Sequence, residues 1–177
     1  MRRVAATLGG GLAALGLAAA AGAVTPPIIV APLTGGAPDA VNFQSPNHDA
    51  TILLSSAKAG ADHVALTVKL RTTLRCGRPF GAGVVVTLPR AARVPRSIAS
   101  SAVRVNGKAP SRIAVAGRKV TVGLPAVNGI TCDSITDGVL KVTFAGGAAL
   151  GNPSAPGTYA IAIHRGASAY SVPIAIR

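Results

Sequence analysis

The stretch Gly83 to Gly107, GVVVTLPRAARVPRSIASSAVRVNG, constrains the chain most, because it alternates as a strand, breaks, and alternates again before a hairpin turn. Val84, Val86 and Leu88 share one side and Val85 and Thr87 the other, the period-two pattern of a strand with one face on a core. Pro89 ends that strand, since it has no N–H to give to a ladder. Arg90, Arg93 and Arg96 then recur every third residue around Pro95, which favours an extended, exposed connection over a helix. Val103 and Val105 resume the alternation, and Asn106-Gly107 tolerates the positive φ angles of a type I′ turn. One strand has crossed over and opened a new hairpin, so the class is all-β and the topology sandwich-like.

The same period runs through the rest of the chain. Val64, Leu66, Val68 and Leu70 alternate with Ala65, Thr67, Lys69 and Arg71, a half-buried strand with a wet outer face. Ile52-Leu53-Leu54 marks a first or edge strand, and Arg112 to Val115 with Lys119 to Leu124 forms a hairpin around Ala116-Gly117-Arg118. Leu140, Val142 and Phe144, then Tyr159, Ile161 and Ile163, then Tyr170, Val172, Ile174 and Ile176 supply three more inward sets. Pro173 on the opposite face of the last strand places it at a sheet edge. With turn signals every eight to twelve residues and no 3.6 period, the expectation is an antiparallel two-sheet sandwich of about eight or nine strands.

The N-terminus decides the compartment. Met1-Arg2-Arg3, the apolar run Val4 to Leu17 and the small-x-small triplet Ala21-Gly22-Ala23 read as a secretory signal peptide, residues 1–23, forming a helix in the precursor. Residues 24–47, rich in Pro, Gly and Ala, read as an extended tether with a short strand at Ile28 to Val30, and 48–177 as the sandwich domain. Ser171 to Arg177 carries no second apolar segment and no sorting motif, so the mature chain is expected to be released or held non-covalently at the envelope, with no transmembrane segment. Cys76 and Cys132 both fall in the exported part, and an even pair in an oxidising compartment reads as one disulfide, contributing about 4 kcal/mol by restricting the unfolded chain.

The charge is lopsided, with 18 Lys plus Arg against 5 acids, all Asp. Losing Arg2 and Arg3 with the signal leaves 16 against 5, or +11. A field of that sign draws polyanions, acidic wall polymer among them. It also follows from the Ala-, Arg-, Gly- and Pro-rich composition of a GC-rich genome, and the charges are scattered over several strands. Arg75 and Arg78 flank Cys76, so with Arg90, Arg93 and Arg96 they would form an anion-binding rim if the loops met at one end. Stacking platforms for nucleic acid are sparse, the aromatics being Phe43, Phe80, Phe144, Tyr159 and Tyr170.

The order VVVTLP, VPRSIASSAVRVNG, GRKVTVGLP and GVLKVTFAGGAALGNPSAPGTYAIAI resembles the Ig-like β-sandwich modules of bacterial secreted and surface-layer proteins. The resemblance covers about residues 83–164 and rests on Val105-Asn106-Gly107, Gly151-Asn152-Pro153 and Pro156-Gly157-Thr158-Tyr159. It implies an Ig-like fold and an extracellular, envelope-associated location.

Catalysis finds little to stand on. The bases for a nucleophile are His48, His63 and His164, no Gly-x-Ser-x-Gly elbow occurs, and without Glu there is no carboxylate pair for glycoside hydrolysis. His48 with Asp49, or Asp133 with Asp137, lacks the dense ligand spacing of a metal site, so no metal and no cofactor is expected. The reading is an exported, non-catalytic Ig-like domain with a structural or adhesive role, partnered by an envelope component or another surface protein. The alternative is a polyanion-binding module using the arginine loops.

Overall fold

The computed structural model describes residues 28–30, 39–71, 83–125 and 138–177. Eleven strands lie among them, in two antiparallel sheets. In chain order they are β1 (Ile28–Val30), β2 (Val41–Gln44), β3 (Ala50–Leu54), β4 (Leu66–Arg71), β5 (Val84–Thr87) and β6 (Val103–Val105). There follow β7 (Ile113–Ala116), β8 (Lys119–Val122), β9 (Val139–Phe144), β10 (Gly157–Arg165) and β11 (Ser168–Ile176). One sheet runs β1-β2-β3-β4-β9-β6 and the other β11-β10-β5-β8-β7. The protein is thus an all-β two-sheet antiparallel sandwich.

The core follows from the alternation. Val68, Leu70, Val84, Val86, Leu140, Val142 and Phe144 are fully buried, each at an inward position of its strand. Burying one such side chain contributes roughly 1.5–3 kcal/mol, so the period-two pattern is also the main source of stability. β5 lies in the five-stranded sheet and β6 in the six-stranded one, so the Arg90 to Ser97 connection carries the chain from one layer to the other. Asn106 (φ 46) and Gly107 (φ 81) then form a two-residue turn closed by Val105 N–H to the Lys108 carbonyl (2.8 Å) and Lys108 N–H to the Val105 carbonyl (3.0 Å). As Pro173 requires, β11 is an edge strand.

Three expectations change. The strand count rises to eleven because Ile28–Val30 and residues 41–44, both assigned to the tether, join the six-stranded sheet as β1 and β2. Phe43 of β2 is fully buried, so this short segment contributes one of the largest core side chains. Its pairing with β3 also makes β3 an interior strand, neither first nor at an edge. The short strand expected at Ile28 to Val30 is present, paired with β2. The signal helix at 1–23 and the Cys76–Cys132 disulfide lie outside the described residues.

Gly83 leaves no room for a side chain. Gly83, at φ +128, opens β5 so close to β8 that an added Cβ would collide with the Val122 carbonyl. Gly83→Ala is expected to cost about 3 kcal/mol, from the left-handed φ and the overlap together, read as a drop in denaturant midpoint at constant slope. A loss below about 1 kcal/mol would mean the strand end shifts freely.

Candidate anion-binding face

Outward residues of the six-stranded sheet form its solvent face, and register decides which of them meet. Lys69 of β4 stands directly opposite Thr51 of β3 on one side and Lys141 of β9 on the other. Opposed side chains on neighbouring strands have Cβ atoms about 5 Å apart, so two ammonium stems rise side by side. Arg71 follows two residues along β4, about 7 Å from Lys69, on the same face. The adjoining row reads Leu53, Thr67, Thr143, Arg104, with the Thr67 hydroxyl 3.5 Å from that of Thr143. Lys69, Arg71, Lys141 and Arg104 are all exposed.

Beside them a pocket of about 420 Å³ is lined by Gln44, His48, Asp49, Thr51, Lys69, Arg71 and Val139. His48, at φ 57 in the β2–β3 turn, places Nδ1 2.9 Å from Gln44 Oε1. Asp49 binds this corner through its backbone, its carbonyl accepting from Arg71 N–H at 2.8 Å. Within the described residues the Lys69, Arg71 and Lys141 side chains make no hydrogen bond or ion pair, whereas Arg104 Nη1 donates to the carbonyls of Ser100, Ser101 and Val103. Three cations and a row of hydroxyls are therefore open to an anion. Like charges set directly opposite on a sheet are destabilising, so the Lys69–Lys141 pair is a local cost of the arrangement.

Asn106 positions part of this face. Its Oδ1 accepts from Lys141 N–H (2.6 Å) and its Nδ2 donates to the Val139 carbonyl (3.3 Å), extending the β9 ladder beyond β6. The Asn-Gly turn thus anchors the backbone that carries Lys141.

Of the arginines singled out in the sequence, Arg90, Arg93 and Arg96 lie among the described residues. Arg93 forms an ion pair with Asp62 and donates from Nη2 to the Gly60 carbonyl (2.9 Å), while its backbone bridges to Gly151. It tethers the inter-sheet connection to the turn before β4, a structural task. Arg90 and Arg96 are exposed on either side of it. Arg75, Arg78, Cys76, Cys132, Asp133 and Asp137 lie outside the described residues. His63, with Nδ1 3.2 Å from the Gly146 carbonyl, and His164 are both exposed. Among the described residues no three metal-ligating side chains gather.

The opposite surface differs in kind. The outer face of the five-stranded sheet aligns Ala114, Thr121, Val85, His164 and Ala169 in one row and Ala116, Lys119, Thr87, Ala162 and Ser171 in the next. Small and uncharged side chains dominate it, so the exposed cations of the two sheet faces are concentrated on the six-stranded side. Arg165, at the end of β10, is partly buried, and desolvation lowers its pKa, opposed by the neighbouring Tyr170.

Fold and surface together define an all-β sandwich module with one basic sheet face. No protein-family model and no curated protein matches the sequence. Among solved structures the chain is similar to BslA, a bacterial hydrophobin, at 19% identity and a TM-score of 0.42, over 72% of this chain and 94% of that one. Among the described residues no helix is long and apolar enough to cross a membrane.

Proposed function

We propose that the chain is an exported, non-catalytic Ig-like module that adheres to acidic polymer of a bacterial cell envelope through the outer face of its six-stranded sheet. The observation that carries this reading is the Lys69–Lys141 register pair with Arg71 beside it. A sheet holds two like charges opposite one another at a stability cost, and an anion bridging both removes that cost on binding. A repeating polyanion suits three cations on a flat surface better than a single small anion does, since each contact releases a counterion. The formal charge of +13, or +11 once Arg2 and Arg3 leave with the signal, and the signal-like N-terminus support the same reading.

Retention of the mature chain on washed cell envelopes over a salt series tests it. Retention should fall linearly against salt on logarithmic axes, with a slope set by the number of cations engaged. The Arg90→Ala, Arg93→Ala, Arg96→Ala variant should keep the parent slope, because these residues belong to the inter-sheet connection and not to the outer rows of the six-stranded sheet. Retention independent of salt would reject the electrostatic mechanism, and loss of retention in the triple variant would move the site to the arginine loops.

A further inference from the structure

An uncovered sheet edge presents unpaired backbone groups to any further strand, and the two sheets have four edges: β1 and β6 in one, β11 and β7 in the other. Three of them are short, interrupted or capped. β1 is three residues long. Along β11, Pro173 has no N–H to offer, and Arg177 is already bonded through its N–H to the Ala57 carbonyl (2.8 Å) and through its carbonyl to Ala59 N–H (2.6 Å). Along β6, bonds to β9 are made at Ala102 and Asn106, so Val103 and Val105 face outward. Val105 gives both backbone groups to Lys108, the Val103 carbonyl accepts from Arg104 Nη1 at 2.8 Å, and Val103 N–H donates to the Ser100 carbonyl.

β7 has none of these devices. Gly123 N–H donates to the Arg112 carbonyl at 2.9 Å, so Ala114 and Ala116, two and four residues on, are the β7 positions that exchange hydrogen bonds with β8. The N–H and C=O of Ile113 and Val115 therefore point away from the sheet, and among the described residues these four groups have no partner. Their side chains lie on the inward face but are only half-buried, whereas Val120 and Val122 beside them on β8 are buried. Ala114 and Ala116 are exposed and too small to shield the backbone.

This edge is complementary to itself. All four free groups are satisfied by an antiparallel second copy when Ile113 stands opposite that copy's Val115, which sets Ala114 opposite Ala114 across a two-fold axis normal to the sheet. Ile113 then meets Val115 on the inward side, an apolar pair made twice, and Arg112 faces Ala116, so no two cations are opposed. Arg118, at the hairpin tip, is held back, its Nη1 donating to the Leu88 carbonyl at 3.1 Å. The sheet that carries the edge is also the one whose outer face is poor in charge, which limits repulsion between two basic chains.

We propose that two copies of the chain pair edge to edge through β7, joining their five-stranded sheets into one continuous sheet. A two-fold axis normal to that sheet leaves both six-stranded sheets on the same side, so the dimer presents two basic faces in one direction. The value of this for retention rests on the adhesion reading; the pairing itself does not. Four main-chain hydrogen bonds and a short apolar seam fall below the ~1,200 Å² of stable complexes, so the dimer is weak, with a Kd on the order of 100 µM. Chains crowded on an envelope reach such concentrations, and two linked faces then hold a polymer longer than one.

Sedimentation equilibrium of the purified chain, at concentrations from well below to well above that Kd, tests the pairing. The average mass should rise from one chain toward two, and association should strengthen with added salt, which screens the repulsion and is the opposite of the salt effect on envelope retention. Val115→Pro removes an outward N–H without breaking a bond to β8 and should weaken association at least tenfold. Ala114→Lys and Ala114→Glu, each set opposite itself by the two-fold axis, should weaken it about threefold apiece, and a mixture of the two should associate more tightly than either by itself. Lys69→Gln with Lys141→Gln should dimerise as the parent does, so failure of this contact and failure of the basic face are distinguishable. A mass of one chain throughout, association that survives Val115→Pro in folded protein, or a mixture no tighter than its components overturns the proposal.

Discussion

Asn152→Asp is expected to lower stability by about 4 kcal/mol at neutral pH and by less in acid. Asn152 is 5% exposed, and its Nδ2 donates to the carbonyls of both Ser56 and Lys58 at 2.9 Å, while its own N–H donates to the Ala61 carbonyl. With Gly151 bridged to Arg93 and the Pro153 carbonyl accepting from Gly60 N–H, one tripeptide pins two separate connections to the sandwich. A carboxylate there would face two carbonyl oxygens with no proton to give. Its pKa in the folded state would rise above the ordinary value of about 3.9. The native variant then binds more protons than the unfolded chain as pH rises through that value, so stability falls with increasing pH and is best preserved below it. Asn152→Ala, which removes both hydrogen bonds without adding charge, should cost about 2 kcal/mol and show no such slope. Urea midpoints at acid and neutral pH check both, and equal losses at both pH values for the Asp variant would contradict the geometry.

Lys69→Gln with Lys141→Gln is expected to weaken envelope retention about thirtyfold while slightly raising thermal stability. A Lys near an anionic surface contributes roughly 1 kcal/mol, so two removed cations account for about 2 kcal/mol of binding. Relieving a directly opposed like-charge pair returns a few tenths of a kcal/mol to the fold, up to about 1. Opposite signs in the two measurements distinguish a binding role from a structural one. A structural lysine would lose stability on substitution, whereas this pair should gain it. Lys69→Gln alone should give about half of each effect, because the partner then stands opposite a neutral side chain. If the double variant binds envelopes as the parent does, the basic face is not the adhesive surface.

How far local pattern reaches is visible along β4. Alternation places Val64, Leu66, Val68 and Leu70 inward and Lys69 and Arg71 outward, and all four apolar residues are buried and both cations exposed. The same logic correctly orients β5, β6, β9 and the inner halves of β10 and β11, marks the Asn106-Gly107 turn and puts β11 at an edge. It does not reach β2. Four residues between prolines carry too little alternation to stand out, and Phe43 is recognisable as core only once β3 is beside it.

Side-chain period, proline placement and Asn-Gly chemistry are local properties, so the amino-acid order by itself determined the class, the inward set, the principal turns and the excess of positive charge. The partners of each strand are not local. Lys69 meets Lys141 because β9 crosses to lie against β4. A period of two specifies a face and leaves the neighbour open. The basic face and the engagement of Arg93 were therefore decided only when the two sheets assembled.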